Sequence, residues 1–336
     1  MFIDIFDQFY ISFAAVSSTI GVASNIFLLY LVFFKSPPFL TPYTVFLANT
    51  SISQLAYSIC FILTIPRVIS INFRIVNIYL GVSQFFGHWW SYMIFVTMLH
   101  CAVNSFISIM LSMVFRCISL KTLRFPTSAA LLMCLIAYII PLSMIVSIRN
   151  IDYTSNFTIN NEYTHWKVDN LEKYQTVVGT DLDQKSTIWI MICVSLLCIP
   201  IYSVMYYCRK RILLMLEKPS YVFNTSTTIQ IRKLVKALTV QASIPAISLF
   251  PASLIFLSNH FYVLETECFG YIIISFLSLS PMIDPFVTIY YVQPYRKFVT
   301  DLLWIDEHPS SSSPANDRSY RSRSNSIYMM RNAAFV

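Results

Sequence analysis

The residues able to do chemistry in this 336-residue sequence are few and far apart. Asp284, in SPMIDPFVTIYY, is an acid among apolar neighbours. His100 sits deep in another apolar run, with His88 nearer its start. Ionisable groups in such surroundings are costly and mark functional positions when the run crosses a membrane. Nothing resembles catalytic machinery. There is no phosphate-binding loop among five glycines, no HExxH, no GxSxG, and no Cys or His pair at metal-ligand spacing. The chain is therefore read as a non-enzyme without cofactor or metal. Two clusters suit binding instead. FFGHWWSY over 85–92 holds His88, Trp89, Trp90 and Tyr92, which either anchor a helix at a membrane interface or line a pocket for a small organic ligand. Arg116 and the run Arg209-Lys210-Arg211 suit either anionic lipid or a docking protein.

The elements that must position these groups follow from how charge is distributed. Charged residues are only 12% of the chain, mean hydropathy is +0.63, and hydrophobic residues reach 56%. A soluble domain carries about 25% charged residues, so a soluble enzyme, a disordered chain and a coiled coil are excluded. Seven charge-poor gaps, from 23 to 41 residues long, separate the charged clusters. About 20 apolar residues span a bilayer as helix, and the runs lack the period-two alternation of a barrel strand. The expected architecture is an all-α membrane protein, a bundle of seven transmembrane helices at about 9–34, 43–66, 86–115, 126–148, 186–208, 237–259 and 268–292. Residues 1–8 form a short outer segment, with Asp7 in it, and Ile75 to Phe85 enter from an outer loop. With the N-terminus outside and the C-terminus cytoplasmic, 17 of the 23 Lys and Arg lie inside. The net charge of +7 is thus a membrane-topology signal, with no nucleic acid implied. On these boundaries Asp284 is the one charge within a span.

Smaller features fill in the scheme. Asn156-Phe157-Thr158 is a glycosylation acceptor in the large outer loop. The outer loops contain no cysteine to staple them. Seven prolines (66, 141, 200, 245, 251, 281 and 285) fall inside the expected spans, where kinks favour a bundle with two arrangements. Tyr295, Phe298, Val299 and Leu302 make one apolar stripe, so 293–305 is read as an amphipathic helix on the inner membrane surface. Residues 306–336, rich in Ser and Arg, read as a disordered cytoplasmic tail.

Four stretches carry a resemblance: GVASN at 21–25, KSP at 35–37 with YTVFLANTSISQL at 43–55, LVKALTVQASIP at 234–245, and SPMIDPFVTIYYVQPYR at 280–296. The chain resembles the seven-transmembrane chemoreceptors of nematodes, most closely serpentine receptor class delta. That resemblance implies a G protein-coupled receptor fold. It implies a small-molecule odorant or pheromone as ligand and a heterotrimeric G protein as partner. It places the protein in the plasma membrane of sensory-neuron cilia. By position it assigns switch or structural roles to Asn25, Gln241, Pro245, Asp284, Pro285 and Tyr290. It assigns G protein coupling to Arg116, where Cys117 departs from the family's aromatic-Arg-aromatic pattern. A disulfide common in such receptors has no cysteines here. A ligand-gated ion channel or transporter with seven spans is the alternative.

Overall fold

The computed structural model describes residues 5–37, 41–71, 74–119, 126–148, 153–154, 174–181, 183–217, separate positions between 235 and 254, and 269–304. Asn156, Pro245 and the tail beyond 304 lie outside the described residues. The chain divides into two units, Met1–Arg296 and Lys297–Val336. Within the first unit, α1 (Ile5–Phe34) and α2 (Thr41–Thr64) lead to a hairpin, β1 (Pro66–Ile71) and β2 (Arg74–Tyr79). A short 3-10 turn, Val82–Phe86, precedes α3 (His88–Ser119), which is followed by α4 (Thr127–Ser147). Strands β3 (Tyr153–Thr154) and β4 (Val177–Asp181) come next. The fifth span is α5 (Lys185–Met191), a π-helical turn (Ile192–Leu196) and α6 (Cys198–Glu217). The seventh is α7 (Phe269–Tyr291). A further helix, α8 (Gln293–Trp304), runs across the division between the units.

Among the described residues, six helical stretches are long and apolar enough to cross a membrane. The run expected at 237–259 is described only at separate positions, of which Gln241 is one, in helical conformation. Burial supports a lipid setting. On α4 only Ala130, Cys134, Pro141 and Met144 are buried, one narrow stripe at helical spacing. Leu131, Leu132, Leu135, Ile136 and Ile139 are more than half exposed. In water such a surface would aggregate; against lipid tails it is at home. In contrast, α3 is buried around nearly its whole circumference, as the central helix of a bundle must be.

Two helix boundaries have clear causes. Pro200 lacks the N–H that would bond the carbonyl of Leu196, so the fifth span relaxes into a π turn and restarts with the proline in the first turn of α6. Pro66, expected inside the second span, instead opens β1. Ile65 turns the chain there with φ at +38°, a costly conformation for a β-branched residue. The returning strand braces it: Leu80 N–H donates to Ile65 O at 3.3 Å and Gly81 N–H to Thr64 O at 3.1 Å. A Cβ on Gly81 would lie 2.3 Å from the carbonyl oxygen of Leu63. Because backbone must yield, Gly81→Ala is expected to cost about 1–3 kcal/mol, as overpacking does. A detergent-solubilised melting curve reads this, and an unchanged midpoint would refute it.

The helical bundle also carries a four-stranded antiparallel sheet, ordered β1-β2-β4-β3, that the charge pattern did not announce. The hairpin pairs Pro66 with Tyr79 through Ile71 with Arg74. Strand β4 then joins β2, pairing Ile75 with Thr180 and Ile78 with Val177. Alternation gives the sheet two faces. Ile69, Val76, Ile78 and Val177 form a buried cluster on one, with Leu80 and Tyr174 packed against it. The other face carries Val68, Ile75, Asn77 and Thr180.

Candidate functional site

That second face roofs a cavity of about 100 Å³ between the helices. Its walls come from three spans. Tyr92, Phe95 and Leu99 recur at i, i+3 and i+7 along α3. Thr187, Ile190 and Met191 come from α5, and Val194 and Ser195 from the π turn, which turns both side chains onto the cavity. Ile273, Ile274 and Leu277 come from α7. Among the described residues no Lys, Arg, Asp, Glu or His lines it. Of the four ligand candidates only Tyr92 reaches this cavity. Trp89 and Trp90 are 46% and 58% exposed and stack edge-to-face on each other, 4.8 Å between centroids. His88 is half-buried at the first turn of α3, away from the lining. Successive residues point about 100° apart on a helix, so a run of aromatics cannot all face inward. The indoles take the outward positions.

Beside the cavity lies a buried ionic cluster that the charge-gap reading missed. Asp7 belongs to α1, which starts at Ile5 rather than 9, and it is only 1% exposed. Tyr174 donates to Asp7 Oδ2 at 2.8 Å, and Tyr271 donates to Oδ1 at 2.5 Å. Arg67 Nη1 stands 3.9 Å from Oδ1 and donates to Tyr174 at 3.2 Å. Its guanidinium lies over the Tyr271 ring, 4.3 Å from the centroid. Tyr10 closes the group, donating to Pro66 O at 2.7 Å with its ring edge-on to Tyr271. The cluster joins α1, β1, the segment before β4, and α7. Burial first, then the bond to the Asp7 carboxylate, push the Tyr174 phenol up to about 12. The raised value favours the protonated, donating form in the fold. Its contribution is complete below the ordinary value of 10 and lost as pH rises through 12. A signal for this cluster existed: Asp7, Tyr10, Ala14, Ser17, Ser18, Gly21 and Asn25 form one polar and small stripe at helical spacing. In a membrane helix such a stripe faces protein.

Midway along the bundle, Asp284 is buried on α7. Gln54 Nε2 donates to Asp284 Oδ2 at 2.7 Å. Thr288 Oγ1 donates to the Asp284 carbonyl at 3.0 Å and accepts from Gln241 Nε2. Pro285 deprives the Pro281 carbonyl of its helical donor. That freed oxygen is taken by Asn25 Nδ2 at 3.0 Å, which also donates to Gly21 O at 2.8 Å. The freed carbonyl thus goes to α1 and not to the neighbouring Asp284. A Cβ on Gly21 would lie 2.5 Å from Ser58 Oγ, so glycine there admits the close approach of α2 that the network needs. Tyr290 does not take part: it is 61% exposed, and Thr288 fills the place in the network. Asp284→Ala removes the acceptor of a buried Gln54 donor and is expected to cost about 1–3 kcal/mol, whereas Asp284→Asn keeps an acceptor oxygen and most of the stability. Melting both variants in detergent checks this, and equal midpoints would refute it.

His100, deep on α3, bonds Tyr138 on α4 through one ring nitrogen, Nε2 to the hydroxyl at 2.9 Å. At the end of α3 away from the sheet, Arg116 is not solvated as a residue at a membrane edge would be. It is 8% exposed, its guanidinium 4.1 Å above the ring of Tyr43 on α2. Nε and Nη2 have no hydrogen-bond partner. Cys208 of α6 lies beside Cys117, which puts the exposed Arg209, Lys210 and Arg211 at the same end. Among the described residues no His, Cys, Asp and Glu group is placed to hold a metal.

This arrangement can be compared with known proteins. The crystal structure of squid rhodopsin superposes with a TM-score of 0.66 over 94% of this chain and 90% of that one, at 14% identity, which shows a shared seven-helix fold. In sequence the chain is 71% identical to serpentine receptor class delta-32 of Caenorhabditis elegans, over the full length of both. It is 40% identical to serpentine receptor class delta-33 of the same organism, over 88% of this chain and 87% of the relative. Residues 10–301 match the family model described as "Serpentine type 7TM GPCR chemoreceptor Srd". With a rhodopsin-like bundle, lipid-facing apolar helices and these relatives, the chain is a multi-pass membrane protein and belongs to the serpentine receptor class delta family of G protein-coupled-receptor-like chemoreceptors.

Proposed function

We infer that the protein binds a small-molecule odorant or pheromone in the cavity under the sheet and signals to a heterotrimeric G protein at the Arg116 end. The sheet end then faces outward, in the plasma membrane of sensory-neuron cilia. The observation that carries this reading is the placement of both sites on one helix. Tyr92, Phe95 and Leu99 of α3 line the cavity, and Arg116 closes the other end of the same helix. The 24 residues from Tyr92 to Arg116 correspond to about 36 Å of helix at 1.5 Å each. A ligand that favours one setting of α3 changes what Arg116 meets, and it does so only through its differential affinity for the two settings. The network of Gln54, Asp284, Gln241 and Thr288 ties the second, sixth and seventh spans together and would hold each setting. Arg209, Lys210 and Arg211 would supply a basic surface for the partner, and α8 would lie on the inner leaflet.

The test is expression in a calcium or cyclic-nucleotide reporter cell, an odorant screen, and an ion-flux assay of the purified protein in liposomes. A ligand response that requires a G protein, with no flux, supports the reading. Ligand-dependent flux without G protein would replace it with a channel.

A further inference from the structure

The cavity is apolar except for a few groups, and two of these have nothing to bond. Asn77 Oδ1 and Thr187 Oγ1 are buried without a hydrogen-bond partner, their residues 1% and 3% exposed. Their residues line the cavity from different elements, β2 and the start of α5. Buried polar side-chain atoms are nearly always bonded, so each such orphan calls for a cause. Asn77 is particularly unexpected. It sits mid-strand between Val68 and Val178, on a sheet face where any β-branched residue would pack. An asparagine there packs no better than a β-branched residue and leaves its Oδ1 acceptor unmet.

Resting on the receptor reading above, we propose that the cavity takes a small neutral molecule with an apolar body and one hydroxyl, which donates a hydrogen bond to Asn77 Oδ1 and accepts one from the Thr187 hydroxyl. Size, charge and polarity each narrow the class. A dry cavity of about 150 Å³ holds benzene, so one of about 100 Å³ fits a molecule of about four or five heavy atoms. A charged ligand would be desolvated with no counter-ion among the described residues, none of which is charged where it lines the cavity. The nearby Asp7 and Arg67 are already spent on each other. A hydrocarbon would leave both orphans unmet, and a site built for a hydroxyl discriminates against analogues that lack its donor.

The experiment uses the full chain in lipid nanodiscs, with saturation-transfer NMR and empty nanodiscs as control. The probes are 1-butanol, its isomer diethyl ether, propionate and butylammonium. The expected result is that the alcohol binds about tenfold tighter than the ether and that neither ion binds. Asn77→Leu should reduce the alcohol preference to about twofold or less. Thr187→Val, closer in shape, should reduce it in part and keeps the test alive if Asn77→Leu does not fold. Equal binding of alcohol and ether, or tighter binding of either ion, would overturn the inference even if the receptor signals. Alcohol-selective binding with no G protein response would uphold it and remove the signalling reading instead.

Discussion

Asp7→Ala is expected to destabilise the protein by about 3–5 kcal/mol, the range for stripping one partner from a buried ion pair. The substitution leaves Arg67 desolvated with its carboxylate gone, and it takes the acceptor from Tyr174 and Tyr271 at once. Four elements lose a common tie: α1, β1, the segment leading to β4, and α7. Gly270 sharpens the effect, since its missing side chain lets α7 lie against β1, where a Cβ would be 2.8 Å from Val68 O. Arg67→Ala should cost a similar amount by stranding the carboxylate. The double replacement Asp7→Leu with Arg67→Met should melt closer to wild type than either single one, because two apolar groups strand nothing. Surface delivery in cells and melting in detergent read these outcomes, and a wild-type midpoint for Asp7→Ala would remove the cluster's role. The cluster also answers a question raised by the missing outer disulfide. The sheet register and this ion pair fasten the second loop to the bundle without one.

Arg116→Ala is expected to abolish signalling while leaving the folded protein at normal or higher surface level. The separation comes from the present state of the side chain. Its charge is buried over Tyr43 with two nitrogens unmatched, so removing it takes away a desolvation cost along with a cation–π contact. A merely structural arginine would do the opposite, and lower the surface level first. Tyr43→Ala removes the resting place and should raise ligand-independent signalling, whereas Tyr43→Phe keeps the ring and should leave the basal level unchanged. Reporter output normalised to surface protein measures all three. Normal signalling by Arg116→Ala would sink the coupling role.

The seven runs were legible because a bilayer imposes one requirement that a single sequence displays: about 20 uncharged residues in succession. Asp284 apart, the same procedure placed no charge inside a span, because it uses charges to mark the ends. Asp7 was therefore assigned to an outer segment, and Arg116 fell just past the end of the third span. Both are buried, each against a contact on another element. The sheet was hidden for a related reason. PRVISI and RIVNIY are apolar, so Pro66 was absorbed into a span and 75–85 into a loop. What makes β2 an inner strand is β4, which pairs with it from a hundred residues away. Among the aromatics, composition named the right region. Only the phase of α3 separated Tyr92 in the cavity from Trp89 and Trp90 outside it.

By itself the sequence determined a membrane protein of seven apolar runs, a family resemblance, and Asp284 as a buried acid to explain. These depend on local composition and on ordered motifs, which need no partner to be read. The tertiary structure decided which oxygen Asn25 bonds, that Asp7 meets Arg67, that Arg116 rests on Tyr43, and that Asn77 and Thr187 share a cavity with nothing to bond. Each of these joins residues distant in the chain. Hydrogen bonds, ion pairs and cavities act over a few ångströms of space, and position along a sequence does not encode that distance until the helices pack.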